Sequence, residues 1–423
     1  AIAQPNTYSP DGSIIYVTTS QPEPESCNVW ALHARDGTVA WCRVMPAGAL
    51  WGTVEVDYEG NLYLTTGMGI HGLHADGSDR WTTEVPVGRH AELSNGAIGL
   101  HFTPDGHVVT VTDQGIVMLL ARENGRILAQ LDIPQEFGFE MPSLPDGGIS
   151  AEDVLPEAVM EDFRSLQHGS VSTLLAVFSG SANFSDNTVG VSPGGEIYVM
   201  GGGDDRSGLF QVRVSLDQGV PQLVAGWYMP TRMGSATSPA ISPDGRYVKI
   251  SDGNGDLTFL SPLEAQAMTR IADIEACDQN LDSDADPAVC GEAFGIPLLT
   301  GPTMGTNPML EHGIHYQYEI QVSDLMNTHS ADLRCFEGDE LLWEVLLPDD
   351  LQWTSVITVS NTHLVGTATR FTDSGERLLT LELPATAHSE LVVLNRSDGA
   401  LIFRAPITDD STSTVTIAPD GSL

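Results

Sequence analysis

The densest run of potential ligand atoms in this 423-residue chain is Cys277-Asp278-Gln279-Asn280-Leu281-Asp282-Ser283-Asp284-Ala285-Asp286-Pro287-Ala288-Val289-Cys290, with Glu292 just beyond it. Oxygen side chains at alternate positions suit a hard cation such as Ca²⁺, because alternate residues converge when a loop curls. Asp278, Asn280, Asp282, Asp284, Asp286 and Glu292 are therefore the candidate ligands of a structural calcium ion. The EF-hand pattern is not met: the sixth-position glycine is absent and the closing Glu is misplaced. The competing reading is a solvated acidic loop whose ends, Cys277 and Cys290, are tied by a disulfide.

Other groupings carry less chemistry. Asp252-Gly253-Asn254-Gly255-Asp256 and Gly202-Gly203-Asp204-Asp205 also alternate oxygens, but both fall where a hairpin must turn. Gly67-Met68-Gly69-Ile70-His71-Gly72 matches G-x-G-x-x-G, yet strands are expected on both sides, and a dinucleotide site needs a following helix. His71 and His74, like His312 and His315, are three apart, which on a strand sends the rings to opposite faces. His101, Glu55, Asp57 and Asn307 fall on expected inner strands and are the candidates to face a central channel. The chain contains no H-E-x-x-H and no G-x-S-x-G. Cys27 and Cys42 flank a hairpin whose symmetric register sets Trp30, not Cys27, opposite Cys42, so their pairing needs the preceding chain to curl back. Cys335 is left over, as a buried free thiol.

The elements that hold these residues repeat. An apolar strand, a Pro-Asp-Gly type turn and a second strand recur at Ser9-Pro10-Asp11-Gly12, Asp57-Tyr58-Glu59-Gly60, Thr103-Pro104-Asp105-Gly106, Ser192-Pro193-Gly194-Gly195, Ser242-Pro243-Asp244-Gly245 and Ala418-Pro419-Asp420-Gly421. A second phrase follows about a dozen residues later: an apolar strand, a polar turn ending in Gly, then a strand carrying an aromatic. In three copies the aromatic stands four positions past the glycine, as Trp41, Trp81 and Phe403, where a ring can plug the seam between neighbouring repeats. Leu333-Arg334-Cys335-Phe336-Glu337-Gly338 leads similarly to Trp343. Units of about 40 to 50 residues with four short antiparallel strands have the spacing of propeller blades. They fall near 1–48, 49–88, 95–133, 186–230, 235–276, 300–348 and 354–407, with a partial unit from 412. The expectation is an all-β propeller of seven to eight four-stranded blades over 1–423, and the inner strand of the first unit favours eight.

The pattern A-L-x-A-x-x-G-x-x-x-W with its preceding P-D-G turn resembles the repeat of quinoprotein-type (PQQ-like) β-propellers. That repeat occurs in quinone-dependent alcohol dehydrogenases and in the propeller lipoprotein of the outer-membrane barrel-assembly machinery, and the resemblance lies with the latter. For the dehydrogenases it implies a vicinal Cys-Cys disulfide and a Trp under the quinone. No adjacent cysteines exist here and the chain is shorter, so both departures count against PQQ.

Two insertions interrupt the repeats. One, 134–185, carries a helix expected near 150–168: Ser150 is the N-cap, Leu155, Val159, Phe163 and Leu166 share a face, and Gly169 ends it. The other, 371–389, is a loop rising above one rim. Acidic residues number 57 against 18 basic, all Arg except Lys249, for a net charge of −39. Such a chain is repelled by nucleic acid and by anionic membrane surfaces. No apolar run reaches the length of a membrane helix. The sequence opens at Ala1 without a basic and then apolar segment, so a signal peptide, if one existed, is already removed. Cysteine usage and the excess of Arg suit a bacterial protein that is periplasmic, surface-bound or secreted. The function expected is a non-catalytic scaffold offering rim loops to a protein or glycan partner. The alternative is a channel-mouth enzyme, either a metal-assisted hydrolase or a divergent quinoprotein.

Overall fold

The computed structural model describes residues 6–19, 26–45, 54–66, 69–90, 95–139, 184–185, 187–202, 207–231, 238–252, 255–260, 310, 314–317, 332–337, 340–348, 351–353, 355, 357–371, 387–407 and 415–417. Its strands pair antiparallel with their chain neighbours, as short loops between alternating apolar strands dictate. The first sheet runs β1 (Thr7–Tyr8), β2 (Ile14–Thr18), β3 (Val29–His33), β4 (Val39–Arg43). The second runs β5 (Glu55–Val56), β6 (Leu62–Thr66), β7 (Gly69–Leu73), β8 (Asp79–Glu84). The third is β9 (Ala97–Phe102), β10 (Val108–Thr112), β11 (Ile116–Leu120), β12 (Ile127–Asp132).

A short helix, α1 (Ile133–Phe137), follows. The Asp132 carboxylate accepts from the Gln135 N–H at 2.8 Å, and Gly138 ends the helix at φ 69°. The fourth sheet is β13 (Gly190–Val191), β14 (Glu196–Gly202), β15 (Ser207–Asp217), β16 (Val220–Thr231). Two three-stranded sheets come next: β17 (Ala240–Ile241), β18 (Tyr247–Asp252), β19 (Gly255–Leu260), then β20 (Ile314–Gln317), β21 (Asp332–Glu337), β22 (Glu340–Leu346). In the last sheet β23 (Gln352–Trp353) and β24 (Thr358–Val359) both pair with β25 (His363–Phe371), followed by β26 (Ala387–Asn395) and β27 (Leu401–Pro406).

This is an all-β propeller, and it corrects the expected blade count. Among the described residues six blades are founded on the inner hairpin: β1–β2, β5–β6, β9–β10, β13–β14, β17–β18 and β24–β25. Among the described residues the β20–β22 sheet has three strands and no such hairpin, and the last repeat phrase, 418–421, lies outside them. The expectation of seven to eight four-stranded blades therefore does not stand. Its physical cause is that the phrase marks a two-strand turn, not a whole blade. Val415–Ile417, read as the start of an eighth unit, form no strand. Instead the Thr358 hydroxyl donates to the Val415 carbonyl and Thr416 Oγ1 donates to the Asn6 carbonyl at 2.8 Å, linking the last sheet to the first. The helix expected near 150–168 lies outside the described residues. Of the 134–185 insertion residues 134–139 and 184–185 are described, and the first of them complete α1 rather than an expected element. The 371–389 insertion is narrower at its ends, because β25 runs through Phe371 and β26 begins at Ala387.

The core lies between blades rather than inside one. Tyr16, Val29 and Ala31 pack on Leu62, Leu64 and Leu73. Tyr63, Ile70 and Trp81 pack on Leu100, Val108 and Met118, and Val109, Val117 and Leu119 pack on Ile197, Val199 and Phe210. A sheet covered on both faces favours near-continuous apolar middle strands, and β6, β7 and β10 are buried throughout, their few polar residues, Thr65, Thr66, His71, Thr110 and Thr112, included. The outer strands instead alternate toward solvent.

Aromatics lock these seams. Trp41 on β4 lies over the outer turn of the next blade: its indole N–H donates to the Ala75 carbonyl at 3.0 Å, and a Cβ on Gly77 would meet the ring at 3.1 Å. Trp81 repeats this on Gly125, donating to the Arg122 carbonyl at 2.9 Å, and Trp343 lies over Gly399. These glycines hold φ of +69° to +81°, so the turn and the close ring both exclude a side chain. Lys249, the sole lysine, is fully buried and donates from Nζ to the Tyr316 carbonyl at 3.0 Å, joining β18 to β20.

Candidate functional site: the inner-turn face and the Glu55–His101 contact

One side-chain oxygen organises each inner hairpin turn. Ser9 Oγ accepts from the Ile14 N–H, Asp57 Oδ1 from Asn61, Thr103 Oγ1 from His107, Ser192 Oγ from Glu196, Ser242 Oγ from Tyr247 and Ser360 Oγ from His363, all within 2.9–3.1 Å. The hydroxyls also donate, Ser9 to Asp11 at 2.6 Å, Ser242 to Asp244 at 2.5 Å, and Ser192 to Glu196. Those bonds hold the Asp11 and Asp244 carboxyls below the usual carboxylate range.

The turns stack from blade to blade. A Cβ on Gly60 would stand 3.9 Å from Pro10 Cδ, on Gly195 3.9 Å from Pro104 Cδ, and on Gly245 3.4 Å from Pro193 Cδ. Three consecutive turns, Thr103-Pro104, Ser192-Pro193 and Ser242-Pro243, line with Phe102, Val191 and Ile241 a shallow hollow of about 370 Å³ that is broadly open to solvent. No lining side chain ionises. The Thr103, Ser192 and Ser242 oxygens are already engaged in holding their own turns.

Two residues before the turn oxygen the inner strands carry Thr7, Glu55, His101, Gly190, Ala240 and Thr358. In the second and third blades these are Glu55 and His101, and His101 Nδ1 stands 3.9 Å from Glu55 Oε1. Desolvation pushes the Glu55 carboxyl up to about 7 and the His101 imidazole down to about 4. The raised carboxyl and the lowered imidazole both weigh against an ion pair near neutral pH, while both side chains keep access to solvent. A protonated carboxyl beside an unprotonated imidazole can hold and pass a proton, but 3.9 Å is beyond a direct hydrogen bond.

Of the channel candidates, the structure brings together Glu55 and His101. Asp57 belongs to the turn: burial raises its carboxyl, and bonds from Asn61, Tyr63 and Glu59 together outweigh this and lower it. Arg122 approaches Asp57 at 3.8 Å and covers the Tyr58 ring. Asn307 and the candidate calcium ligands Asp278, Asn280, Asp282, Asp284, Asp286 and Glu292, with Cys277 and Cys290, lie outside the described residues. Among the described residues no three His, Cys, Asp or Glu side chains group to hold a metal ion.

His71 is buried between Thr66, at 2.8 Å, and Thr82, at 3.2 Å, whereas His74 is exposed in the next turn. The G-x-G-x-x-G run joins β6 to β7, so strands flank it as expected. Asp252 pairs with Gly255 and Gly202 with Ser207 at plain hairpin ends. Cys27 is bonded to Cys42 while Trp30 stands opposite Cys42 in the ladder, so the chain before β3 does curl back. Cys335 is a buried free thiol whose pKa burial pushes up to about 11, which suits packing and not nucleophilic attack. The turn-face hollow was missed from sequence. Its signal was the Ser/Thr-Pro pairs, which spell turn chemistry locally and say nothing of three turns meeting.

Blades that meander outward, stacked inner turns and seam aromatics define the β-propeller class, with a repeat that resembles the quinoprotein type. Solved structures similar to the chain include BamB from Moraxella catarrhalis, at TM-score 0.48 and 11% identity over 99% of this chain and 94% of that one. They also include the quinohemoprotein alcohol dehydrogenase from Comamonas testosteroni, at TM-score 0.55 and 13% identity over 98% and 68%. A third is quinohemoprotein alcohol dehydrogenase ADHIIG from Pseudomonas putida HK5, at 0.52 and 14% over 97% and 67%. At these identities the likeness is one of fold, and with 816 solved chains matching it selects an architecture rather than an activity. No family model and no curated protein matches the chain.

Proposed function

We propose that this propeller is a non-catalytic scaffold that binds a protein partner on its inner-turn face. The observation that carries the reading is the open hollow of about 370 Å³ lined by three Ser/Thr-Pro turns. It offers proline rings and apolar side chains to a partner side chain, with neither a nucleophile nor a general base among its walls. The disulfide between Cys27 and Cys42 supports an extracytoplasmic location, where such bonds persist. Among the described residues no helix is long and apolar enough to cross a membrane.

The test is affinity capture from an envelope extract of the source cells, with the intact chain and a Pro104→Arg/Pro193→Arg variant as baits. Both prolines are exposed, so the variant should keep its melting temperature. A species held by the intact chain and lost from the variant is the expected result. Equal recovery on both baits would move the binding site off this face. The catalytic alternative rests on the Glu55–His101 contact. Glu55→Gln with His101→Asn should leave capture unchanged.

A further inference from the structure

In the first three sheets and the last, the third strand of the meander ends level with the inner turn. Ile14 stands opposite His33, Leu62 opposite Leu73, Val108 opposite Leu120 and His363 opposite Asn395, and each pair joins the first residue of one strand to the last of the next. The fourth sheet departs from this. Glu196, the first residue of β14, stands opposite Arg213, yet β15 runs on through Val214, Ser215, Leu216 and Asp217. Those four pair only with β16, up to Asp217 opposite Val220 across the turn Gln218-Gly219, whose φ angles are 50° and 82°. Four residues at about 3.3 Å each carry this hairpin about 13 Å beyond the start of β14.

The ladder decides where the backbone groups of this extension point. A two-residue turn is closed by a hydrogen-bonded pair, here Asp217 with Val220, and such pairs alternate along an antiparallel ladder. Leu216 with Pro221 and Val214 with Leu223 are then the non-hydrogen-bonded pairs, and Pro221, with no N–H to give, fits its place. Val214 and Leu216 therefore turn their N–H and carbonyl groups to the other edge, along the line that β14 has left. Glu196 agrees with this phase: it donates to Ser192 Oγ and accepts from the Ser192 N–H, on the side away from Arg213. Among the described residues no backbone group pairs with the edge of Val214 and Leu216. Neither proline nor charge blunts it at Val214, Ser215 or Leu216, and Leu216 is 71% exposed. With β13 innermost in the sheet, the edge looks toward the ring axis, beyond the Ser192-Pro193 turn, the middle one of the three that line the hollow.

We propose that the inward edge of residues 214–217 receives an extended segment of the protein partner as an added strand, which turns one apolar side chain into the hollow. This rests on the turn-face reading and names the form of the partner. Two donors and two acceptors facing one way call for a strand, whereas a helix has already bonded its own backbone. A hollow lined by three prolines, Phe102, Val191 and Ile241 calls for an apolar side chain.

The probe is a blocked hexapeptide of alternating Thr and Val, with Phe in place of one central Val, titrated by calorimetry into the intact chain. Leu216→Pro removes an inward N–H and leaves the bonds between β15 and β16, so it should keep the parent's melting temperature and bind the peptide about ten-fold more weakly. Leu216→Ser keeps that N–H and should bind within about three-fold of the parent. In hydrogen exchange resolved to single amides, Val214 and Leu216 should be fast in the free chain and slow with peptide bound. Protection of both amides before peptide is added, equal affinity for Leu216→Pro, or no heat at about millimolar peptide overturns the proposal. If Leu216→Pro binds like the parent while Pro104→Arg/Pro193→Arg does not, the edge fails and the turn-face reading survives. The reverse pattern upholds the edge and overturns the turn-face reading.

Discussion

Glu55 and His101 meet at 3.9 Å and are shifted in opposite directions by the same cause, desolvation. The consequences for stability have opposite signs. The folded chain holds the Glu55 proton up to about 7, above the ordinary value of 4.5, so that contribution is complete below 4.5 and is lost as pH rises through 7. The folded chain resists protonating His101 until about 4, below the ordinary 6.5, so that contribution is complete above 6.5 and is lost as pH falls through 4. The melting temperature of Glu55→Gln, minus that of the parent, should therefore grow from about pH 5 to about pH 8. The same difference for His101→Asn should grow as pH falls from about 6.5 to 4. Differential scanning fluorimetry across that range checks both, and a flat difference would show that neither group is desolvated. The sequence placed both on inner strands as candidates to face a channel, but their meeting depends on which blades are neighbours and was seen only in the structure. Asp57 was misread: as the turn oxygen itself, it does the work that Ser9 and Thr103 do with a hydroxyl.

The seam is the energetic unit among the elements. Trp81 is 8% exposed, lies over Gly125 and donates to the Arg122 carbonyl, so Trp81→Ala removes both a packed ring and a partner for that carbonyl. It should cost about 3–5 kcal/mol in urea unfolding. Phe403→Ala, at the same repeat position but uncovered, should cost less than about 1 kcal/mol. Similar losses at both positions would mean that coverage by the next blade is not what makes these rings stabilising. Sequence spacing placed both rings correctly on outer strands, because the spacing is set within one hairpin. It could not tell them apart, because coverage depends on which blade comes next around the ring. The blade count failed on the same non-local point: the Pro-Asp-Gly phrase fixes a turn, and the number of complete blades is decided by long-range packing.

At the scale of the whole molecule, charge opposes compactness. A net charge of −39 on 423 residues concentrates like charge on the folded surface, and few cations offset it: Arg43–Asp79 and Arg89–Asp132 are among the ion pairs described. Raising NaCl from about 10 mM to about 300 mM, which shortens the screening length several-fold, should raise the melting temperature. A fall would show that those local pairs outweigh the general repulsion.

Lys249 has a practical consequence. The chain holds a single ε-amine, and it is sealed between β18 and β20 against the Tyr316 carbonyl. An acylating reagent will find no side-chain amine on the native surface. Uptake of one mass tag at this residue then becomes a clock for the parting of two neighbouring sheets, readable by intact-mass spectrometry without any engineered label.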